Sequence, residues 1–262
     1  MSCRGACSCK DQPAMANPGG AARALLARLI DHAPLFPPAS LSLAEALEED
    51  ARARESGHAW MLGRFVCPAS LLSRLPDPAR GFSAVLDEPM PVGVEVQAVE
   101  ARYRDDLGSL EGLAGEVYVE VPVDEALEAR LDELVAHGLR AKVRCGGVSV
   151  PDVGELAFFI RACRERGVAL KATAGLHHAV RTGEEHGFLN LLAAIQFGDE
   201  ETVLADDDPS SFTLDADSLR WRTRRAGPAE LERTRRERLH SIGSCSFFEP
   251  VEELEALGVL PA

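Results

Sequence analysis

Arg140-Ala-Lys-Val-Arg-Cys145 runs into Gly146-Gly147. Pro151-Asp-Val-Gly-Glu-Leu156 then opens a stretch that continues to Arg166, and Val168-Ala-Leu-Lys-Ala-Thr-Ala174 follows. The two outer segments alternate apolar and polar residues with the period of a strand, whereas the segment between them carries helical spacing. A strand, a helix and a second strand in this order form a βαβ unit, which requires a parallel sheet.

Working outward, Trp60 to Cys67, Phe82 to Leu86, Gly93 to Val99 and Glu116 to Val121 read as earlier strands, with helices over Pro68 to Arg74 and Asp124 to His137. Downstream, a helical region runs from Gly187 to Ala205, and an acidic loop spans Asp206 to Pro209. Short strands follow at Phe212 to Leu214 and Leu219 to Arg222, then a charged helix from Pro228 to His240, a last strand from Ile242 to Phe247 and a last helix from Pro250 to Leu257. Ala21 to His32 and Leu43 to Glu55 read as helices ahead of the first strand, separated by Pro34, Pro37 and Pro38, with Ser42 as the N-cap of the second. The predicted fold is therefore α/β, an irregular TIM-like (β/α)8 barrel with an N-terminal helical extension, since about eight strands is the barrel number. The irregularity is expected at Asp87 to Val92, which is too short for a crossover helix, and at 212–222, which resembles a hairpin.

Size agrees with this assignment. The 262 residues suit one barrel domain over 20–262, preceded by a disordered tail over 1–19 that carries Cys3, Cys7 and Cys9, with Met15 as an alternative start. Cys67, Cys145, Cys163 and Cys245 are scattered through apparent core segments, as reduced thiols are. A net charge of −14 opposes binding to nucleic acid or to an anionic membrane surface, because both carry the same sign. No apolar run approaches the roughly 20 residues of a membrane helix, and the N-terminus lacks a secretory signal, so a cytoplasmic location is expected. A small anionic metabolite is the expected partner, and a homo-oligomer is compatible with the sequence.

Strand parity locates the polar groups. With Ala141, Val143 and Cys145 facing the helices, Lys142 and Arg144 face the barrel interior; with Val168, Leu170 and Ala172 outside, Lys171 and Thr173 face in. The same alternation turns Tyr118 and Glu120 inward, and it does so for Glu95 and Gln97 in the strand read at Gly93 to Val99. Only three of the 28 basic residues are lysine, namely Lys10, Lys142 and Lys171. Because lysine can lose its proton when buried and arginine does not, lysines inside strands of an arginine-rich chain point to chemistry. Isolated buried charges are costly, so the inward groups either pair as a structural network or form a site at the C-terminal ends of the strands.

Gly146 and Gly147 would let the backbone approach an anion held by Arg144. Lys171-Ala-Thr-Ala-Gly-Leu-His-His178 places Thr173, His177 and His178 where a barrel carries its functional loops, and His177 could move protons near neutral pH. Cys245, Ser244, Ser246, Asn190 and Arg64 are lesser candidates. A metal would have to recruit His177, His178, Glu120 and His186 or His240; no pair among them has i, i+4 spacing and the nearby lysines oppose a cation, so neither a metal nor a cofactor is expected.

Leu35-Phe-Pro-Pro-Ala39, His58-Ala-Trp-Met-Leu-Gly-Arg64, Lys142-Val-Arg-Cys-Gly-Gly147, Lys171-Ala-Thr-Ala-Gly-Leu-His-His178 and Gly243-Ser-Cys-Ser-Phe247 together resemble a family of bacterial hypothetical proteins, a resemblance that implies a barrel-like fold and no activity. Locally, Lys171-Ala-Thr-Ala-Gly175 is similar to the lysine strands of the deoxyribose-phosphate aldolases, class I barrel aldolases with a Schiff-base lysine and a second lysine on late adjacent strands. Lys142 and Lys171 count here as strands five and six.

The leading expectation is a lyase of aldolase type in which Lys171 forms an imine, Lys142 lowers the pKa of Lys171, and Glu120 or His177 moves protons. Arg144, Gly146, Gly147, Thr173, His178 and Glu95 would bind substrate. The alternatives are a proton-transfer isomerase or dehydratase using the same lysines, and a nonenzymatic metabolite-binding barrel.

Overall fold

The computed structural model describes residues 20–75, 80–147 and 150–261. The expected tail, with Cys3, Cys7, Cys9, Lys10 and Met15, lies outside the described residues. Eight parallel strands close into a barrel: β1 (Ile30–His32), β2 (Leu62–Pro68), β3 (Phe82–Val85), β4 (Ala98–Arg102), β5 (Glu116–Glu120), β6 (Arg140–Arg144), β7 (Leu170–Thr173) and β11 (Leu239–Ser244), with β11 pairing back onto β1. The predicted TIM-like barrel is the observed fold.

Helices form where caps and apolar stripes coincide. α2 (Leu43–Glu55) starts at the expected Ser42, in a capping box with Glu45; α4 (Val153–Arg166) starts at Asp152, in a capping box with Glu155, and stops at Gly167 in the left-handed conformation. α3 (Leu127–Ala136) buries Leu127, Leu131 and Leu134 and packs on α4, so the β5-to-β7 segment is a pair of regular βαβ units. The four predicted core thiols are buried and unpaired, and burial pushes Cys145 up to about 12.

Three predicted elements change. The helix read over Ala21 to His32 ends early, as α1 (Gly20–Leu26), and Ile30–His32 becomes the first barrel strand. Its apolar spacing continues a helical pattern, but Arg28 adopts a left-handed φ of 52° and the segment closes the barrel by pairing Ile30 with Ile242 on one side and Leu62 on the other. The segments at 212–222 are not barrel strands: β8 (Phe212–Leu214), β9 (Leu219–Trp221) and β10 (Arg224–Ala226) form a separate antiparallel sheet. That sheet follows α5 (Phe188–Phe197) and α6 (Glu200–Ala205) in the long connection before α7 (Pro228–Glu237) and β11. Finally, β4 begins at Ala98 rather than Gly93, because Gly93 turns the chain at a φ of 79°; no α-helix joins β3 to β4, as the short spacing predicts.

Candidate functional site

A cavity of about 510 Å³ opens at the C-terminal ends of the strands. Strand geometry puts its floor together. β6 and β7 pair in register so that Lys142 lies beside Lys171, β5 sets Glu120 beside Lys142, and β11 sets Ser241 beside Lys171. Each is an inward position, and the small or branched residues between them, such as Ala141, Val143 and Ala172, are buried in the surrounding core.

The amines are held by carboxylates. Lys171 Nζ donates to Asp31 Oδ2 and Glu100 Oε1, both at 2.6 Å, and stands 5.8 Å from the centre of the Tyr118 ring. Lys142 Nζ donates to Glu100 Oε2 at 3.1 Å and pairs with Glu120 at 3.1 Å. Glu100 therefore bridges the two lysines, and its Oε1 also accepts from Ser83 Oγ at 2.8 Å. Asp31 accepts in addition from Ser241 Oγ at 2.8 Å and from the Arg64 backbone N–H at 2.7 Å. A side chain on Gly63 would put Cβ 2.4 Å from Asp31 Oδ1, which is why glycine precedes Arg64.

The charges set one another. Burial alone would raise the Glu100 carboxyl, but Lys171 and Lys142 outweigh it and hold the group well below the ordinary carboxylate range. Burial pulls the Lys171 amine down, yet Asp31 and Glu100 overcome it and the net direction is upward. This is opposite to the direction expected from Lys142 alone, because the neighbouring strands supply two carboxylates as well as a second cation. Lys171 is wholly buried, whereas the Lys142 side chain keeps 8 % exposure.

Around this floor, Arg102, Glu120, Arg144, Thr173, His177 and Cys245 line the wall. Ala174 and Gly175 both take left-handed φ, at 62° and 64°, where the chain leaves β7 beside the cavity. Gly146 and Gly175 are required by each other. A Cβ on Gly146 would lie 2.6 Å from the Gly175 backbone, so the loops after β6 and β7 touch main chain to main chain.

Of the predicted site residues, Lys142, Lys171, Glu120, His177, Arg144 and Thr173 meet at this cavity. Glu95 does not. It is exposed, ahead of the strand it was assigned to; the alternation of Val94 and Val96 with Glu95 and Gln97 imitates a strand in a segment that reaches the barrel only at Ala98. The inward acid of β4 is Glu100. His178 stands outside the cavity wall and faces Glu253 at 3.4 Å and Glu185 at 3.6 Å. Gly146 packs against Gly175, and Gly147, at a φ of 99°, lies against Arg144. Asn190 is structural: its amide donates to the carbonyls of Val203 and Asp206 and accepts from the Arg181 N–H.

Asp31, Ser83, Glu100 and Arg102 were not singled out from sequence. The signal for Glu100 was a lone acid inside Ala98-Val-Glu-Ala101, and for Asp31 a charge directly after the apolar pair Leu29-Ile30. Among the described residues, His177, Cys245 and Glu249 bring ligand atoms within 4.8 Å of one another and form the trio best suited to a metal, although His177 Nδ1 is engaged with Glu249 Oε2 at 2.7 Å.

An eight-stranded parallel barrel with its charged cavity at the C-terminal end makes this chain a TIM-like barrel protein. Among known proteins, the chain matches no family model and no curated sequence. No described helix is long and apolar enough to cross a membrane.

Proposed function

We propose that this barrel is an enzyme acting on a small anionic carbonyl compound through a lysine imine, a carbon–carbon lyase of aldolase type. The observation that carries the reading is one buried carboxylate, Glu100, shared by two lysines that both line the cavity, the Lys142 side chain keeping 8 % exposure and the Lys171 side chain none. With Ile30–His32 counted as the first strand, Lys142 and Lys171 stand on barrel strands six and seven, late and adjacent as in the aldolases that the lysine strand resembles.

The roles follow from access. Lys171 would have to leave two 2.6 Å hydrogen bonds to react, so it serves as the fixed cation; Lys142, on longer contacts and partly open, is the nucleophile. Lys142 gives a proton to Glu120 and attacks the substrate carbonyl carbon. Glu120 returns that proton to the carbinolamine hydroxyl, which leaves as water, so that an iminium forms and Glu120 is again ionised. The bond between the carbon α to the iminium and the hydroxyl-bearing β carbon then breaks; its electron pair becomes the carbon–carbon double bond of an enamine as the iminium π electrons return to nitrogen, while the β carbon becomes a carbonyl and its hydroxyl proton passes to Glu120 or His177. Protonation of the enamine and hydrolysis return the free amine. Arg102 and Arg144 hold the carboxylate or phosphate of the substrate at the cavity wall.

The test is borohydride trapping with pools of small aldehydes, keto acids and sugar phosphates, read by intact mass and peptide mapping on wild type, Lys142→Ala and Lys171→Ala. The expected result is an adduct on Lys142 that is absent from Lys142→Ala. An adduct on Lys171 reverses the two roles. No adduct from any pool ends the imine reading in favour of proton transfer by the same lysines or of metabolite binding.

A further inference from the structure

The opposite end of the barrel holds a second cavity, of about 330 Å³, where the sign of the charge is reversed relative to the protein as a whole. Arg28, Arg64, Arg140 and Arg235 line it together with two carboxylates, Asp31 and Glu116. Both carboxylates are already engaged. Asp31 holds Lys171 from above, and Glu116 Oε2 accepts from Arg64 at 2.6 Å and from the Tyr118 hydroxyl at 2.7 Å.

Arg236, also in the lining, is paired with Glu237 at 2.8 Å, whereas among the described residues Arg28, Arg140 and Arg235 form no ion pair within 4 Å. Arg235 gives its donors to the carbonyls of Leu25, Ala27, Leu239 and His240, tying the chain after α1 to the base of β11. Burial pulls its guanidinium down to about 10, with Asp31 opposing. Arg140 donates to the Gly115 carbonyl and stacks 5.8 Å from the Tyr118 ring. Arg28 is exposed at the rim, and Arg64 Nε is buried with no hydrogen-bond partner. His240, which also lines the space, is shifted downward by burial, and Arg140 and Arg235 push it further against the pull of Glu116.

An excess of guanidinium groups around a concave space in a chain of net charge −14 is an arrangement that needs an anion. Planar guanidinium forks match the oxygens of a phosphoryl group. We propose that this N-terminal cavity of the barrel is a binding site for a phosphate-class oxyanion, either free phosphate or the phosphoryl end of a metabolite. The site is separate from the upper cavity and does not depend on imine chemistry there. Asp31 joins the two, since one face of its carboxylate receives Lys171 and the other receives the backbone of Arg64.

The experiment is thermal unfolding of the full chain against inorganic phosphate, pyrophosphate and glycerol 3-phosphate, with ionic strength held constant by chloride. The variants are Arg28→Asn, which tolerates the left-handed backbone at that position, Arg140→Gln, and Arg144→Ala, which takes away phosphate held in the upper cavity. At about ten times the dissociation constant of the lower site the midpoint should rise by roughly 3 to 5 °C, and that rise should persist in Arg144→Ala, where only an upper-cavity contribution is lost. That rise should fall by at least half in both lower-cavity variants. A response to phosphate at least as strong as to glycerol 3-phosphate assigns the free ion, and the reverse order assigns a phosphoryl ester; either supports the site. No rise above the chloride control, or a rise that survives both lower-cavity variants and disappears in Arg144→Ala, overturns it.

Discussion

Replacing Glu100 with Gln tests the network at its centre. The substitution keeps the shape and one acceptor for Ser83 or an amine, but it removes the charge that Lys142 and Lys171 share. At contacts of 2.6 and 3.1 Å, the gross attraction is about 5 to 6 kcal/mol per pair with an effective dielectric constant of about 20. Returning a buried carboxylate to the neutral state recovers several kcal/mol of desolvation. Lys171 retains Asp31 and Lys142 retains Glu120, so neither cation is left alone. The net loss is then about 3 to 5 kcal/mol, which for a chain of this size lowers the unfolding midpoint by on the order of 10 °C.

The pH dependence carries the sign. Glu100 is held below its unfolded value, so its stabilisation is complete above the ordinary 4.5 and is lost as pH falls toward the folded-state value. Denaturant unfolding of wild type and Glu100→Gln at pH 7 and at steps below 4.5 should show the difference shrinking on the acid side. A variant within about 1 kcal/mol of wild type at pH 7, or a difference that does not change on acidification, would refute the view that Glu100 is an ionised bridge.

Two further predictions concern the frame of the site. Burial lowers His32, but hydrogen bonds and charge from Asp50 and Glu49 prevail and raise it above 6.5; its contribution to stability is present below that value and is lost as pH rises through the folded-state pKa. An NMR titration of the His32 ring should place its midpoint above 6.5 in wild type and lower in Asp50→Asn, and an unshifted midpoint in the variant would remove Asp50 as the cause. Gly146→Ala drives a methyl group into the Gly175 backbone and should cost about 1 to 3 kcal/mol, whereas Gly115→Ala, with nothing within 4 Å of the added carbon, should stay within about 0.5 kcal/mol of wild type; equal unfolding midpoints for the two would contradict the loop packing.

What the sequence determined by itself was whatever depends on local period. From Glu116 to Thr173 the alternation of each strand and the capped stripes of α3 and α4 are complete within a few residues, so the βαβ units, their direction and the inward position of Tyr118, Glu120, Lys142 and Lys171 were legible there. Where pairing rather than period makes the strand, the reading failed. Ile30–His32 has only three residues, and its extended form comes from closing the barrel between β2 and β11. Val94 and Val96 alternate as a strand would, yet the sheet takes up the chain only at Ala98, which exchanges Glu95 for Glu100.

Those two misreadings hid the acids that define the site. A lysine seen alone in a strand suggests an amine whose proton is labile, whereas the same lysine between Asp31 and Glu100 is a held cation. The difference lies in partners 140 and 71 residues away along the chain. Electrostatic energy depends on distance through space and on burial, and neither is a property of a segment. Only the tertiary structure could decide that the Lys142 side chain keeps a little exposure while that of Lys171 keeps none, and that arginines from four separate segments gather at the far end of the barrel.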